Sequence, residues 1–114
     1  MRSVKRTGKV ETVVSTETQA RVFGALSDPV RLRFIQTLMA TDEATGTAVA
    51  ESLGISLALL CHHAKILVDA GVIEKRKEGQ TSYYRAAPAA LASTFSALMP
   101  MASTKGKTRS LPNR

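Results

Sequence analysis

Gly54-Ile-Ser-Leu-Ala-Leu-Leu-Cys-His-His-Ala-Lys-Ile-Leu-Val-Asp-Ala-Gly71 is a Ser-capped helical run, and Val72-Ile-Glu-Lys-Arg-Lys-Glu-Gly-Gln-Thr-Ser-Tyr-Tyr-Arg85 follows it directly as a short basic hairpin. A helix narrow enough for the major groove, next to a cationic ribbon that can lie along phosphates, is a device for gripping duplex DNA. Upstream, Ala48 to Leu53 has the pattern of a short helix capped by Thr47 and stopped by Gly54, with Ser56 opening the next one. Two helices joined by so short a glycine-containing turn make a helix-turn-helix.

Further towards the N-terminus, Asp28-Pro29 is a strong helix start, since the carboxylate accepts from free amides and proline is pre-set for the first turn. That helix is expected to carry Leu32, Ile35, Leu38 and Met39 inward. Thr16 with Gln19 forms a capping box for a first helix through Val22, Phe23 and Leu26, and Thr41 to Gly46 reads as a loop. Gly79 supplies the positive φ of a hairpin turn within Glu78-Gly-Gln-Thr81. Pro88 opens a last helix with Leu91, Phe95 and Leu98 at helical spacing, and Pro100 closes it. The fold class that follows is mainly α with a small β-hairpin, a winged helix-turn-helix. Residues 15–101 form the DNA-binding and dimerisation domain, with residues 1–14 and 102–114 as basic, flexible arms.

The 114 residues suffice for one core, and with a single cysteine no intrachain disulfide supports it. A homodimer interface is the natural further source of stability. A lone Cys61, no apolar leader and no membrane span point to a cytoplasmic protein without a membrane partner. The formal charge of +7 comes from 16 basic and 9 acidic residues. Eight of those basic residues lie in the first ten and last ten positions, which leaves eight against nine acids between them. Overall basicity therefore says little, and the cluster of Lys75, Arg76, Lys77 and Arg85 on the hairpin says more.

On a wheel of about 100° per residue, Leu60, Ala64 and Leu67 mark the core side of the long helix, with Leu57, His63 and Ala70 on its flanks. Ala58, His62, Lys65 and Asp69 fall opposite, with Cys61 at one edge. The DNA-binding residues expected on this basis are Ser56, Ala58, Cys61, His62, Lys65, Lys75, Arg76, Lys77 and Arg85. His62 and His63 are adjacent, so their rings diverge and share no metal ion, which on a helix needs i,i+4 spacing. Cys61 lacks an aligned base and orienting carboxylate, so no catalytic residue is assigned and no enzyme is expected. Of Tyr83 and Tyr84, one packs on the domain and the other faces outward.

Four stretches, Leu26-Ser-Asp-Pro-Val-Arg-Leu-Arg-Phe-Ile, Val49-Ala-Glu-Ser-Leu-Gly-Ile-Ser, Cys61-His-His-Ala-Lys-Ile-Leu-Val-Asp-Ala-Gly and Glu78-Gly-Gln-Thr-Ser-Tyr-Tyr-Arg, stand in unbroken order. Together they closely resemble the ArsR/SmtB family of bacterial repressors. The resemblance implies a winged helix-turn-helix homodimer, paired through its first and last helices, that binds a palindromic operator until an effector lowers its DNA affinity. It also implies departures. Where many members carry a Cys-x-Cys metal pair this chain has Thr45-Gly46-Thr47, and the last helix lacks the Asp and His ligands of other members, so no metal or cofactor is assigned. Leu57-Ala58-Leu59 stands where relatives usually carry polar side chains, which thins hydrogen-bonded readout and shifts weight to DNA shape. No effector is named by these residues. The alternative function is a winged-helix protein-interaction module without sequence-specific DNA binding.

Overall fold

The computed structural model describes residues 14–99, so most of both expected arms, and Pro100, lie outside the described residues. Five helices and three short strands follow in the order α1 (Thr16–Ala25), α2 (Pro29–Met39), β1 (Ala44–Thr45), α3 (Gly46–Leu53), α4 (Leu57–Asp69), β2 (Ile73–Glu78), β3 (Thr81–Ala86) and α5 (Pro88–Leu98). Each of the first four helices starts where a side-chain oxygen accepts from an otherwise unpaired amide. Asp28 accepts from the Val30 and Arg31 amides at 2.8 and 3.1 Å, and Ser56 Oγ from the Leu59 amide at 3.0 Å. Such caps contribute about 1 kcal/mol each.

Two expected caps are corrected. Ser15, not Thr16, caps α1 by accepting from the Thr18 amide, and Thr45, not Thr47, caps α3 by accepting from the Ala48 amide. In both cases the structure selects a serine or threonine in extended backbone just upstream of the expected one. The stretch Thr41 to Gly46 is not all loop either. Ala44 and Thr45 form β1, held by antiparallel pairing with Tyr84 and Tyr83, so the sheet has three strands in the order β1-β3-β2. That pairing is tertiary, and two residues carry no alternation from which to foresee it.

The buried stripe of α2 is Phe34, Ile35 and Leu38, whereas Leu32 and Met39 are 42 % and 54 % exposed. Ile35 and Leu38 are thus inward as expected, while Leu32 and Met39 are not, and Phe34 joins the buried stripe beside half-buried Arg31, which reaches back to α1 and α4. Leu57, expected on the core flank of α4, is half exposed, although its Cδ1 stays beside Gly46 at the edge of the core. Leu60, His63, Ala64, Leu67 and Ala70 are buried as the wheel requires. Tyr84 is the inward tyrosine, packed edge-on against Phe34 at 5.7 Å. An aromatic pair in that geometry is worth about 0.5–1.5 kcal/mol beyond its buried area.

Gly46 opens α3 close against this tyrosine, and a Cβ there would lie 3.3 Å from Tyr84 Cε2. Gly54 and Gly71 close α3 and α4 with φ of 70° and 80°, and Gly79 turns the hairpin with φ of 59°. The core joins α2, α3, α4 and the sheet, with Val22 and Ala25 of α1 and Leu91 of α5 packed into it. In α5 only Leu91 and Thr94 are buried, while Phe95 and Leu98 remain exposed.

Candidate nucleic-acid interface

Helices α3 and α4 meet at 107°, within the usual range for a helix-turn-helix, and the β2–β3 hairpin stands beside α4. Ser56, Ala58, Cys61, His62 and Lys65 are all exposed on α4 or at its cap. Lys65 reaches Asp69 at 3.2 Å, but both side chains are largely solvated, so the pair holds the ammonium only weakly. His62 points outward, and its ring centroid stands 5.5 Å from that of His63, with the planes 65° apart.

His63 turns the other way. Its Nδ1 lies 3.1 Å from Arg31 Nη1, while Arg31 Nε donates to the Ala25 carbonyl at 2.6 Å. Because a guanidinium only donates, Nδ1 accepts, and the neutral ring carries its proton on Nε2. Burial pushes the His63 pKa below its ordinary value; Asp28 opposes that shift, and the Arg31 and His62 charges add to it. The Arg31 bridge ties the end of α1 to the middle of α4. No spacing pattern in the sequence marks it.

The hairpin divides its charges between two faces. Cross-strand pairing sets Lys75 opposite Tyr84 and Lys77 opposite Ser82, and Arg76 opposite Tyr83 and Glu74 opposite Arg85. Lys75 lines a cleft of about 350 Å³ with Cys61, Lys65 and Tyr84. Lys77 lines a neighbouring one of about 240 Å³ with Leu57, Cys61 and Ser82. These two lysines thus share the α4 side of the wing, and neither has a carboxylate partner among the described residues.

Arg76 and Arg85 occupy the opposite face. Arg76 donates to both Glu43 oxygens, at 2.8 and 3.2 Å, pairs with Glu78 at 3.0 Å, and lies 4.3 Å over the Tyr83 ring. The hydrogen bond from Arg76 holds the Glu43 carboxyl below its ordinary pKa, and the same contact raises that of Arg76. Arg85 stands 3.9 Å from Glu74. Two arginines therefore meet three carboxylates on this side, and it offers no net positive charge. Glu43 is the residue that sequence reasoning missed, being 33 positions away in the chain.

Thr45, Gly46 and Thr47 stand at the start of α3, where Thr45 serves as the cap and Gly46 as the close-packed first residue. Among the described residues no three His, Cys, Asp or Glu side chains gather in a metal-binding group, and no single helix is long and apolar enough to cross a membrane.

A helix-turn-helix with an adjoining β-hairpin defines the winged helix-turn-helix class. Residues 26–76 match the family model described as a helix-turn-helix domain. The transcriptional repressor SdpR of Bacillus subtilis is 40 % identical over 63 residues, which cover 55 % of this chain and 69 % of that protein. A probable mercury resistance operon repressor of Streptomyces lividans is 37 % identical over 68 residues, covering 60 % of this chain and 54 % of that one, so the chain spans about half of that relative's length. The solution structure of a homodimeric winged helix-turn-helix DNA-binding domain from Mycobacterium bovis, a possible ArsR-family regulator, superposes with a TM-score of 0.63 at 25 % identity, covering 96 % of this chain and 97 % of that one. The chain belongs to the ArsR/SmtB family of winged helix-turn-helix transcriptional regulators.

Proposed function

We infer that this chain is a DNA-binding transcriptional repressor that acts as a homodimer on a palindromic operator in the cytoplasm. The observation that carries the reading is the convergence of Lys65, Lys75 and Lys77 on one side of the α4–wing cleft, beside the exposed first turns of α4. A helix entering the groove between two flanking phosphate contacts needs this arrangement. Two copies related by a two-fold axis would present their reading helices about 34 Å apart, one turn of duplex.

Within this reading Ser56, Ala58, Cys61 and His62 face the groove edge, and Lys65, Lys75 and Lys77 face phosphates. Arg76 and Arg85 sit on the ion-paired side of the wing, so we assign them to its shape and not to phosphate contact. Salt dependence tests the assignment. Lys75→Ala with Lys77→Ala removes four phosphate contacts from a dimer and should flatten the slope of log K against log salt by about 3.6, at about 0.9 per contact. An unchanged slope would remove these lysines from the interface. Equal affinity for every duplex, together with binding to a protein partner, would favour an interaction module instead.

A further inference from the structure

The first turn of α4 is apolar and half open to solvent, with Leu57 at the mouth of the cleft beside Gly46. Leu57 and Leu59 are 50 % and 43 % exposed, and Ala58 between them is exposed as well. Ser56, the one hydroxyl there, already accepts from the Leu59 amide. The next polar side chain on the outward face is His62, more than a turn further along. In the docking geometry of this class, the N-terminal residues of the second helix lie nearest the base edges. Here they offer methyl groups and almost no hydrogen-bonding capacity.

Base edges in the major groove present donors and acceptors at every pair, but only one ordinary base shows an apolar group there, the C5-methyl of thymine. An apolar turn set against a donor or acceptor would leave that group without its water and without a replacement, whereas against a methyl it loses nothing. The lysines around the cleft supply the charge complementarity that would bring this turn to a polyanion and to no neutral surface.

We propose that Leu57, Ala58 and Leu59 read thymine C5-methyl groups, so that operator choice at those positions rests on methyl contact and not on hydrogen bonds. The proposal rests on the reading of the chain as a DNA-binding regulator. It predicts operator half-sites with thymines at the positions facing the first turn of α4, and it names Leu57 and Leu59 as specificity-determining residues.

Replacing thymine by deoxyuracil deletes the methyl and leaves the pairing edge intact. The full chain is first used to select a preferred duplex from a randomised library, and each thymine in that duplex is then exchanged for deoxyuracil in turn. Burial of one methyl corresponds to about a fourfold change in affinity, so a symmetric exchange in both half-sites should weaken binding about sixteenfold. In Leu57→Ser with Leu59→Ser, two half-exposed positions outside the buried core, the thymine and deoxyuracil duplexes should bind alike, with circular dichroism checking that the variant keeps its helix content. If no exchange weakens binding, or the penalty persists whole in the double variant, methyl reading is wrong and DNA shape sets the preference. If the double variant changes the oligomeric state of the protein and not its thymine preference, the turn is a protein contact and the proposal also fails. If no duplex is enriched at all, the regulator reading falls first; an enriched duplex indifferent to deoxyuracil overturns the methyl proposal alone.

Discussion

At the residue scale, His63 carries the clearest consequence of burial. Its ring accepts from Arg31 only when neutral, and protonation would set an imidazolium against a guanidinium 3.1 Å away. Asp28, close enough to favour the charged ring, offsets this only in part, because burial is the larger influence and Arg31 and His62 both oppose protonation. A base whose folded pKa is lowered binds fewer protons folded than unfolded. Its contribution to stability is therefore complete above the ordinary value of 6.5 and is lost as pH falls through that value and the lowered one. Urea unfolding at about pH 7.5 and about pH 5.5 should show wild type losing stability at the lower pH, while His63→Gln, weaker at both, should lose less between them. An identical pH loss in His63→Gln would place the titration elsewhere. The exposure of His62 and the burial of His63 followed from their positions on the helical wheel. The Arg31 bridge did not, because it joins residues 32 apart in sequence through a contact that no periodicity encodes.

At the scale of elements, the wing shows why a charge run is an incomplete guide. Lys75-Arg76-Lys77 looks like three equal cations, yet strand alternation sends the lysines towards α4 and the arginine away from it. Turn chemistry was fully legible: Gly54, Gly71 and Gly79 hold the positive φ values their places require. What was hidden was β1, which exists only through pairing with β3, and with it Glu43 at its threshold, the anion that captures Arg76. Arg76 thereby pins the sheet edge to the wing and sets the direction in which Lys75 and Lys77 project. Arg76→Ala and Glu43→Gln should each weaken operator binding a few-fold while leaving the salt slope where it was, since neither removes a phosphate contact. Were Arg76 on a phosphate, its loss would flatten the slope by about 1.8 per dimer, and Glu43→Gln would leave binding unharmed or improve it. Fluorescence anisotropy titrations across a salt series separate the two outcomes.

At the scale of the whole molecule, apolar surface is left over where a single copy cannot cover it. Phe95, Leu98 and Met99 are 46 %, 55 % and 58 % exposed, and Phe95 lies against Phe23 of α1 with ring centroids 5.8 Å apart. An apolar patch built from the first and last helices is the kind of surface that association covers. It lies on elements separate from the α4–wing cleft. Pairing two copies through it would leave both clefts open and couple their affinities for a two-part operator. Phe95→Glu places a charge in the centre of that surface without touching the reading helix or the wing. The variant should sediment as a monomer, keep the helix content of wild type, and bind a two-half-site duplex about 100-fold or more weakly, since one half-site no longer raises the effective concentration of the other. Its affinity for an isolated half-site should stay close to that of one wild-type protomer. A dimeric Phe95→Glu would move the interface away from α1 and α5, whereas a monomer with undiminished operator affinity would mean that a single copy makes every contact that matters.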